Sequence, residues 1–274
     1  MTATIPPART VPPPQGQGGR RGPGHAVRQS ATVAWRQLVQ IKHNPEQLVE
    51  VGIQPVMFVV LFAFVLAGQM AGSRHAYLQF VVPGLIVQSA VLVTARTAIA
   101  TNTDVTKGLF DRFRSLPISR TAPLIGRIAA DYVMLVWSVV LLLAAGMLLS
   151  FRIETSWTQL IPMFLLLLVF TFALSWASVL AGLLASNPEN VQALAFGLML
   201  PLTFISNAFV RVETMPGWLQ AIVKYNPVSM LADSIRGLLV AGPVAEPVTK
   251  TLIASALVLV VFAPLALRAY HRER

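Results

Sequence analysis

The sequence predicts an all-α membrane protein with six transmembrane helices. Hydrophobic residues make up 55% of the 274-residue chain and charged residues only 12%, whereas soluble domains carry about a quarter charged residues. The apolar residues form long runs of helix formers, without the strict alternation that is typical of the strands of a membrane barrel. The bilayer is therefore the main solvent of this chain.

The N-terminal segment is predicted to stay outside the membrane. Residues 1–29 are rich in proline, glycine and arginine and contain no acidic residue, so we expect a disordered basic tail. Residues 30–43 place Ala34, Leu38 and Ile41 on one helical face, in a segment too short and too polar to cross a bilayer. We expect this segment to be an interfacial helix on the cytoplasmic surface.

Six apolar segments are long enough to cross the membrane. They cover residues 50–67, 80–99, 132–151, 159–184, 191–210 and 249–267. NPEQ (44–47) and SNPEN (186–190) come before the first and fifth segments, and each supplies an asparagine N-cap followed by proline and glutamate. We expect Pro83 and Gly84 to break the second span, and Arg127 to pair with Asp131 where the third span begins.

Two shorter apolar segments lie between the fifth and sixth spans. Residues 216–225 and 227–240 are far shorter than the roughly 20 residues that a span requires. We therefore expect them to be re-entrant or interfacial helices.

The distribution of lysine and arginine predicts the orientation. Fifteen of the 21 basic residues lie on the side of the two termini, and six lie on the other side. Because basic residues are enriched in cytoplasmic loops, both termini and residues 104–122 are predicted to be cytoplasmic. Residues 68–79, 152–158 and 211–248 are predicted to lie outside.

Residues 103–121 form the longest polar segment between two spans. Apolar side chains recur there at the spacing of one helical stripe: Val105, Leu109, Phe113 and Leu116, with Phe110 beside them. Thr103 or Asp104 is expected to cap this amphipathic helix, and Pro117 is expected to end it. Such a helix is suited to docking a soluble partner; alternatively, the segment is a basic loop that only fixes topology.

The sequence lacks the residue patterns of nucleotide binding, metal binding and proton coupling. No lysine follows a glycine, so the chain has no Walker A phosphate loop. The four histidines lack metal-ligand spacing, and no carboxylate lies in the middle of a span. We expect a chain that is not an enzyme and binds no metal or cofactor, with a separate subunit supplying energy for any uphill transport. The net charge of +10 lies mainly at loop ends, so nucleic acid is not an expected partner.

Several segments resemble the type-2 ATP-binding-cassette (ABC) export permeases, and most closely those that confer daunorubicin and doxorubicin resistance on actinomycetes. The resemblance lies in IKHNPEQL (41–48) and NTDVTKGLFDRFRSLPISRTAPLIGRI (102–128). It continues, in the same order, through PLTFISNAFV (201–210), MPGWLQ (215–220), YNPVS (225–229) and IRGLL (235–239).

The resemblance implies a permease domain over residues 30–274, in a bacterial plasma membrane. It also implies a homodimer that pairs with two copies of a separate ATPase, which holds ATP and Mg²⁺. Residues 103–121 would be the cytoplasmic coupling helix, and residues 211–240 an extracellular re-entrant hairpin before the last span. The residues expected to couple to the ATPase are Glu46, Leu109, Phe110, Asp111, Arg112, Phe113, Arg114 and Leu116.

One face of the fifth span is the candidate substrate site. Pockets of the family lie between the two protomers on such faces, and this one carries Gln192, Phe196, Met199, Thr203, Ser206 and Asn207, with Pro201 to kink the helix. Alternatively, the hydroxyls bond their own backbone and the apolar side chains only pack. Gln54, Gln88 and Trp176 are further candidates.

The resulting expectation is an ATP-driven exporter of a hydrophobic or amphipathic antibiotic, giving self-resistance. An exporter of a lipid or a lipid-linked glycan is an alternative within the same class. A secondary carrier is a different class. A membrane-embedded enzyme is disfavoured because no cluster of histidine and carboxylate residues is placed within the spans.

Overall fold

The computed structural model describes residues 45–66, 73–107 and 122–272, and helices account for all regular structure in these ranges. Eight α-helices follow one another: α1 Pro45–Leu61, α2 Arg74–Thr106, α3 Ala122–Leu148, α4 Leu160–Leu184, α5 Pro188–Phe204, α6 Gly217–Tyr225, α7 Pro227–Val240 and α8 Ala245–Arg272. A π-helical turn, Phe62–Leu66, extends α1. The predicted tail and interfacial helix lie outside the described residues.

Four of the described helices are long and apolar enough to cross a membrane: α2, α3, α4 and α8. Helix α5 has 17 residues, so the fifth predicted span is a shorter helix than expected. Helix α1 and its π-helical turn together cover most of the first predicted span, but the apolar part, Val51–Val65, is below spanning length. Within the described ranges the prediction of an all-helical integral membrane protein is confirmed, but four helices, and not the predicted six, are of spanning length.

Helix α2 is the centre of the bundle. It packs against α1, α3, α4, α5 and α7, and most of its 33 residues are buried. At 1.5 Å per residue such a helix is about 50 Å long, so it extends beyond both sides of a hydrocarbon core of about 30 Å. Polar residues at both of its ends are therefore placed at opposite surfaces of the membrane.

The ends of α2 differ from those predicted. Ser73 caps its start by accepting a hydrogen bond from the backbone N of Ala76 at 3.2 Å, so part of the predicted turn at 68–79 is helical. Thr103 and Asp104 lie in the last helical turn rather than capping a new helix. Threonine and aspartate favour the start of a helix, so their position in the last turn of α2 goes against their local preference.

Pro83 and Gly84 do not break α2, which runs through both residues. The helix is held there by dense packing on all sides, and Gly84 serves as a contact point. A Cβ atom at Gly84 would lie 2.0 Å from the carbonyl O of Ala208, so the segment that follows α5 touches the backbone of α2 directly. The glycine is thus required for close approach and not for a change of direction.

Several other boundaries were predicted from helix signals. Asn187 caps α5 as expected, since its Oδ1 accepts from Asn190 N at 2.8 Å. Helices α6 and α7 confirm the two short apolar segments as helices. The fifth predicted span, however, ends at Phe204 instead of residue 210.

The short helices are anchored to the end of α5 by one asparagine. Asn226 Nδ2 donates to the carbonyl O of Leu202 at 2.7 Å and to that of Ile205 at 2.6 Å. Its Oδ1 accepts from Val228 N at 2.9 Å and so caps α7. One buried side chain therefore joins the α6–α7 turn to the carbonyls that the end of α5 leaves unpaired.

Candidate functional site

The candidate coupling residues lie mostly outside the described residues. This holds for Leu109, Phe110, Asp111, Arg112, Phe113, Arg114 and Leu116, whose role stays a prediction. Glu46 lies in the first turn of α1. The described residues on both sides of this segment are the end of α2 and the start of α3.

An ion pair joins these two helix ends. Arg127 Nη1 of α3 lies 3.9 Å from Asp104 Oδ2 of α2, and both side chains are about one-third exposed. Asp131 Oδ2 accepts a hydrogen bond from Thr97 Oγ1 of α2 at 2.7 Å. Instead of an ion pair confined to α3, as predicted, the two charged residues make contacts between α2 and α3.

A surface cavity of about 340 Å³ opens at the same helix ends. Arg96, Thr103, Asp104 and Arg127 supply its polar lining, and Ile99 and Ala100 the rest. The cavity therefore combines charged and apolar groups directly beside the two points where the chain enters and leaves residues 108–121.

Helix α4 is tied to the same end of α2. Asn102 Nδ2 donates to the carbonyl O of Gly182 at 2.9 Å and of Ala185 at 2.6 Å. A Cβ atom at Gly182 would lie 2.4 Å from the carbonyl O of Ala98, so the two backbones are in contact. Asn102 is not among the residues predicted from the sequence, where the available signal is a lone amide among threonines at the end of an apolar run.

The predicted substrate face of α5 divides into an exposed and a buried part. Gln192 is exposed, and Phe196 retains 38% of its surface. Met199 is half-buried against the main core and accepts a weak hydrogen bond from Thr94 Oγ1 of α2, with the sulfur at 3.9 Å. Only the first turns of the face are therefore open to a ligand in this chain.

The last three residues of that face are committed to other contacts. Thr203 Oγ1 donates to Met199 O at 2.8 Å, and Ser206 Oγ donates to Thr203 O. Ser206 and Asn207 lie beyond the last residue of α5, so the prediction that they share its helical face is wrong. The helix ends early because Asn226 and Ser206 satisfy backbone groups that a longer helix would pair internally.

Asn207 belongs to a network around Arg236. Asn207 Nδ2 donates to Asp233 Oδ1 at 2.6 Å, and Arg236 Nη1 donates to the same oxygen at 3.1 Å. Arg236 also donates to the carbonyl oxygens of Phe80, Asn207 and Ala208, and its guanidinium lies 4.0 Å from the centre of the Phe80 ring. The network therefore joins α7, α2 and the segment after α5.

The Arg236 side chain is only 15% exposed. Burial lowers the pKa of its guanidinium to about 10, and the neighbouring Asp233 opposes this shift. The group thus stays protonated at neutral pH and can serve as a permanent cationic donor. Arg236 was predicted only as a basic residue of an outer loop. The available signal for burial is its position between apolar residues on a short helix.

The structure brings together two of the further candidates. Gln54 of α1 and Gln88 of α2 both line a small cavity of about 20 Å³, together with Ser138 of α3 and Arg96. A cavity of this size holds about one water molecule. Trp176 lies elsewhere, on α4 against α8, with its ring 6.1 Å from that of Phe172 in an edge-on arrangement.

Comparison with known proteins gives a family match over most of the chain. Residues 28–240 match the family described as ABC-2 type transporter. The chain is 39% identical to a daunorubicin resistance ABC transporter permease protein of Streptomyces coeruleorubidus over 253 residues, which cover 92% of this chain and 89% of the relative.

Two relatives of lower identity are also named as transport permeases. A probable doxorubicin resistance ABC transporter permease protein of Mycobacterium tuberculosis is 29% identical over 232 residues, or 80% of each chain. A putative transport permease of Cyanophora paradoxa is 27% identical over 205 residues, which cover 73% of this chain and 70% of the relative.

Proposed function

The chain belongs to the ABC-2 type transporter family, and from that premise we propose that it is the permease subunit of an ATP-driven exporter that removes a hydrophobic or amphipathic antibiotic from the cell. One observation carries the choice of substrate class. The chain is similar over nearly its whole length to a permease whose name states daunorubicin resistance. A second relative is named for resistance to doxorubicin.

The proposal assigns ATP hydrolysis to a separate subunit. Permeases of this family lack an ATPase site of their own, and the sequence has no Walker A motif. ATP and Mg²⁺ therefore bind to the partner, and this chain supplies the path across the membrane. The chain converts the partner's motion into movement of its own helices.

Residues 108–121 would receive that motion. Three features support this role: the apolar stripe of the segment, the ion pair between Arg127 and Asp104, and the cavity beside it. Because α2 contacts five other helices, a displacement of its end is passed to most of the bundle. The segment is on the cytoplasmic side in this proposal, as are both termini, in a bacterial plasma membrane.

We also propose a homodimer, supported by apolar surface on α1 and α5. Ile53 and Met57 of α1 and Phe64 of its π-helical turn are more than half exposed. Leu198 and Phe204 of α5 are similarly exposed. In a bilayer this surface faces either lipid or a second copy of the chain. Neither neighbour requires polar side chains on the surface. A substrate that enters between two copies would meet Gln192 and Phe196 on the open part of α5.

The test is drug resistance in a sensitive bacterium. The chain is expressed with its cognate ATPase, and growth is measured against a panel that contains daunorubicin, doxorubicin and chemically unrelated compounds. We expect higher tolerance of at least one amphipathic drug, and lower accumulation of that drug in the cells. A catalytically inactive ATPase is the control, and equal resistance with it would exclude an ATP-driven exporter.

The same strains distinguish the substrate classes. If no drug is exported but the outer leaflet or the medium gains a lipid or a lipid-linked glycan, the chain is an exporter of the alternative class. Transport that continues without any ATPase would instead indicate a secondary carrier.

A further inference from the structure

A third and larger cavity lies at the other end of α2. It has a volume of about 900 Å³ and is bounded by α6, α7, the start of α2, the start of α8 and the segment after α5. Phe80 lines it, and 24 residues separate Phe80 from Asp104 along α2, a distance of about 36 Å in an α-helix. Since the hydrocarbon core is about 30 Å thick, this cavity is at the membrane surface opposite to residues 108–121.

Helix α6 has the character of an interfacial helix at this surface. Its side chains Trp218, Ile222 and Tyr225 are each more than half exposed, and Lys224 lies in its last turn. Tryptophan and tyrosine are enriched at the level of lipid headgroups. The cavity beside α6 is therefore at headgroup depth.

The cavity has an excess of positive charge. Four basic and two acidic residues line it: Arg211, Lys224, Arg236, Lys250, Asp233 and Glu246. Both carboxylates are already engaged, Asp233 by Arg236 at 3.1 Å and Glu246 by Lys250 at 2.6 Å. Among the described residues, no salt bridge occupies Arg211 or Lys224, which are both exposed.

The arrangement favours an anion with an apolar part. Arg211 is held near the ring of Phe80, with 5.7 Å between its guanidinium carbon and the ring centre. Ala221, Val223 and Met230 add apolar surface to the lining. An amphipathic cation, by contrast, would be repelled by the net positive charge of this lining.

We propose that this cavity binds the phosphate headgroup of an anionic phospholipid, with Arg211 and Lys224 as the residues that contact the phosphate. Arginine and lysine are the usual donors to phosphate oxygens, and basic residues at a membrane surface attract anionic lipids. The acyl chains extend along the exposed apolar side of α6, beside Trp218 and Ile222. The site is distinct from the exposed part of α5 and does not depend on which drug is exported.

The experiment measures lipid binding to the full chain in detergent. Phosphatidylglycerol and phosphatidylcholine are titrated separately, and bound lipid is counted by native mass spectrometry. We expect one phosphatidylglycerol to bind more tightly than any phosphatidylcholine. Replacing either cation, as Arg211→Gln or Lys224→Gln, should weaken this binding roughly fivefold, and the double variant more than tenfold.

Arg74→Gln is the matched control. Arg74 is exposed at the start of α2, its guanidinium lies 4.5 Å from the Phe64 ring, and it does not line the cavity. Its replacement should leave the affinity for phosphatidylglycerol unchanged. Unfolding temperatures of all variants are recorded, so that a loss of folding is recognised.

Three outcomes would overturn the proposal. The first is equal binding of phosphatidylglycerol and phosphatidylcholine. The second is unchanged binding in the folded double variant. The third is displacement of the lipid by millimolar inorganic phosphate, which would assign the site to free phosphate and not to a lipid.

Discussion

Arg127 and Asp104 join the two helix ends from which residues 108–121 extend, with Nη1 of the arginine 3.9 Å from Oδ2 of the aspartate. The pair is partly exposed, so its contribution to the free energy of unfolding is about 0–1 kcal/mol. The pair matters because of its position, since it connects the end of α2 to the start of α3. A force applied to the segment between them is therefore shared by both helices.

The first prediction concerns this pair. Arg127→Asp places a third carboxylate beside Asp104 and Asp131, and should reduce drug-stimulated ATP hydrolysis by the complex without lowering the amount of permease in the membrane. The double change Asp104→Arg with Arg127→Asp restores an opposite charge pair and should recover most of the stimulation. If the double variant is no better than the single one, the pair is not part of the coupling path.

The second prediction concerns Arg236. Arg236→Met removes donors to three backbone carbonyl groups and to Asp233, so we expect the free energy of unfolding to fall by about 3 kcal/mol. Arg211→Met is the control, because Arg211 lies near the same ring but is exposed; its change should stay within about 0.5 kcal/mol. Thermal unfolding in detergent measures both, and equal shifts would show that the network adds no stability.

The third prediction compares two glycines. Gly84→Ala places a Cβ atom 2.0 Å from Ala208 O, and backbone must move to admit it, so the cost should be at least about 1–3 kcal/mol. Gly197→Ala meets nothing within 4 Å and should be neutral or stabilising by up to about 1 kcal/mol because alanine favours a helix. Expression and thermal unfolding report the difference. Equal tolerance of the two would mean that α2 and the segment after α5 are not in contact.

The fourth prediction tests the open part of α5. If Phe196 contacts drug, Phe196→Ala should reduce resistance to the best substrate roughly tenfold while membrane abundance stays constant. Leu194 is also exposed on α5, at 48% of its surface, but lies about 200° around the helix from Phe196. Leu194→Ala should leave the drug profile unchanged. The same loss in both variants would indicate a general defect of the helix.

The helices themselves could be predicted from the sequence because burial in lipid leaves clear local signals. Asn187, Pro188 and Glu189 mark the start of α5 by their own chemistry. The end of α5 could not be predicted, since it depends on a residue far along the chain. Asn226, more than 20 residues later, pairs the carbonyls at the end of α5, and no local pattern contains that contact.

The candidate site could be predicted in part, because helical spacing is a local signal. Phe196 and Gln192 occupy one helical face by spacing alone, and the structure leaves both exposed. Asn207 has the residue type of a ligand contact, but its amide is bound to Asp233. Whether a polar side chain is free for a substrate depends on its tertiary partners, which the sequence pattern does not contain.

In the proposed function, this chain transports drug only when residues 108–121 connect it to an ATPase. The most direct measurement is ATP-dependent accumulation of daunorubicin in inverted membrane vesicles that contain the chain and its cognate ATPase. Wild type is compared with Phe113→Ala, which removes an apolar side chain from the predicted stripe, and with Asp111→Ala as the control in the same segment. We predict that ATP drives accumulation in wild type and nearly as much in Asp111→Ala, whereas Phe113→Ala abolishes both accumulation and co-purification of the ATPase. Wild-type accumulation by Phe113→Ala, with the ATPase still bound, would show that this segment does not couple the permease to the ATPase.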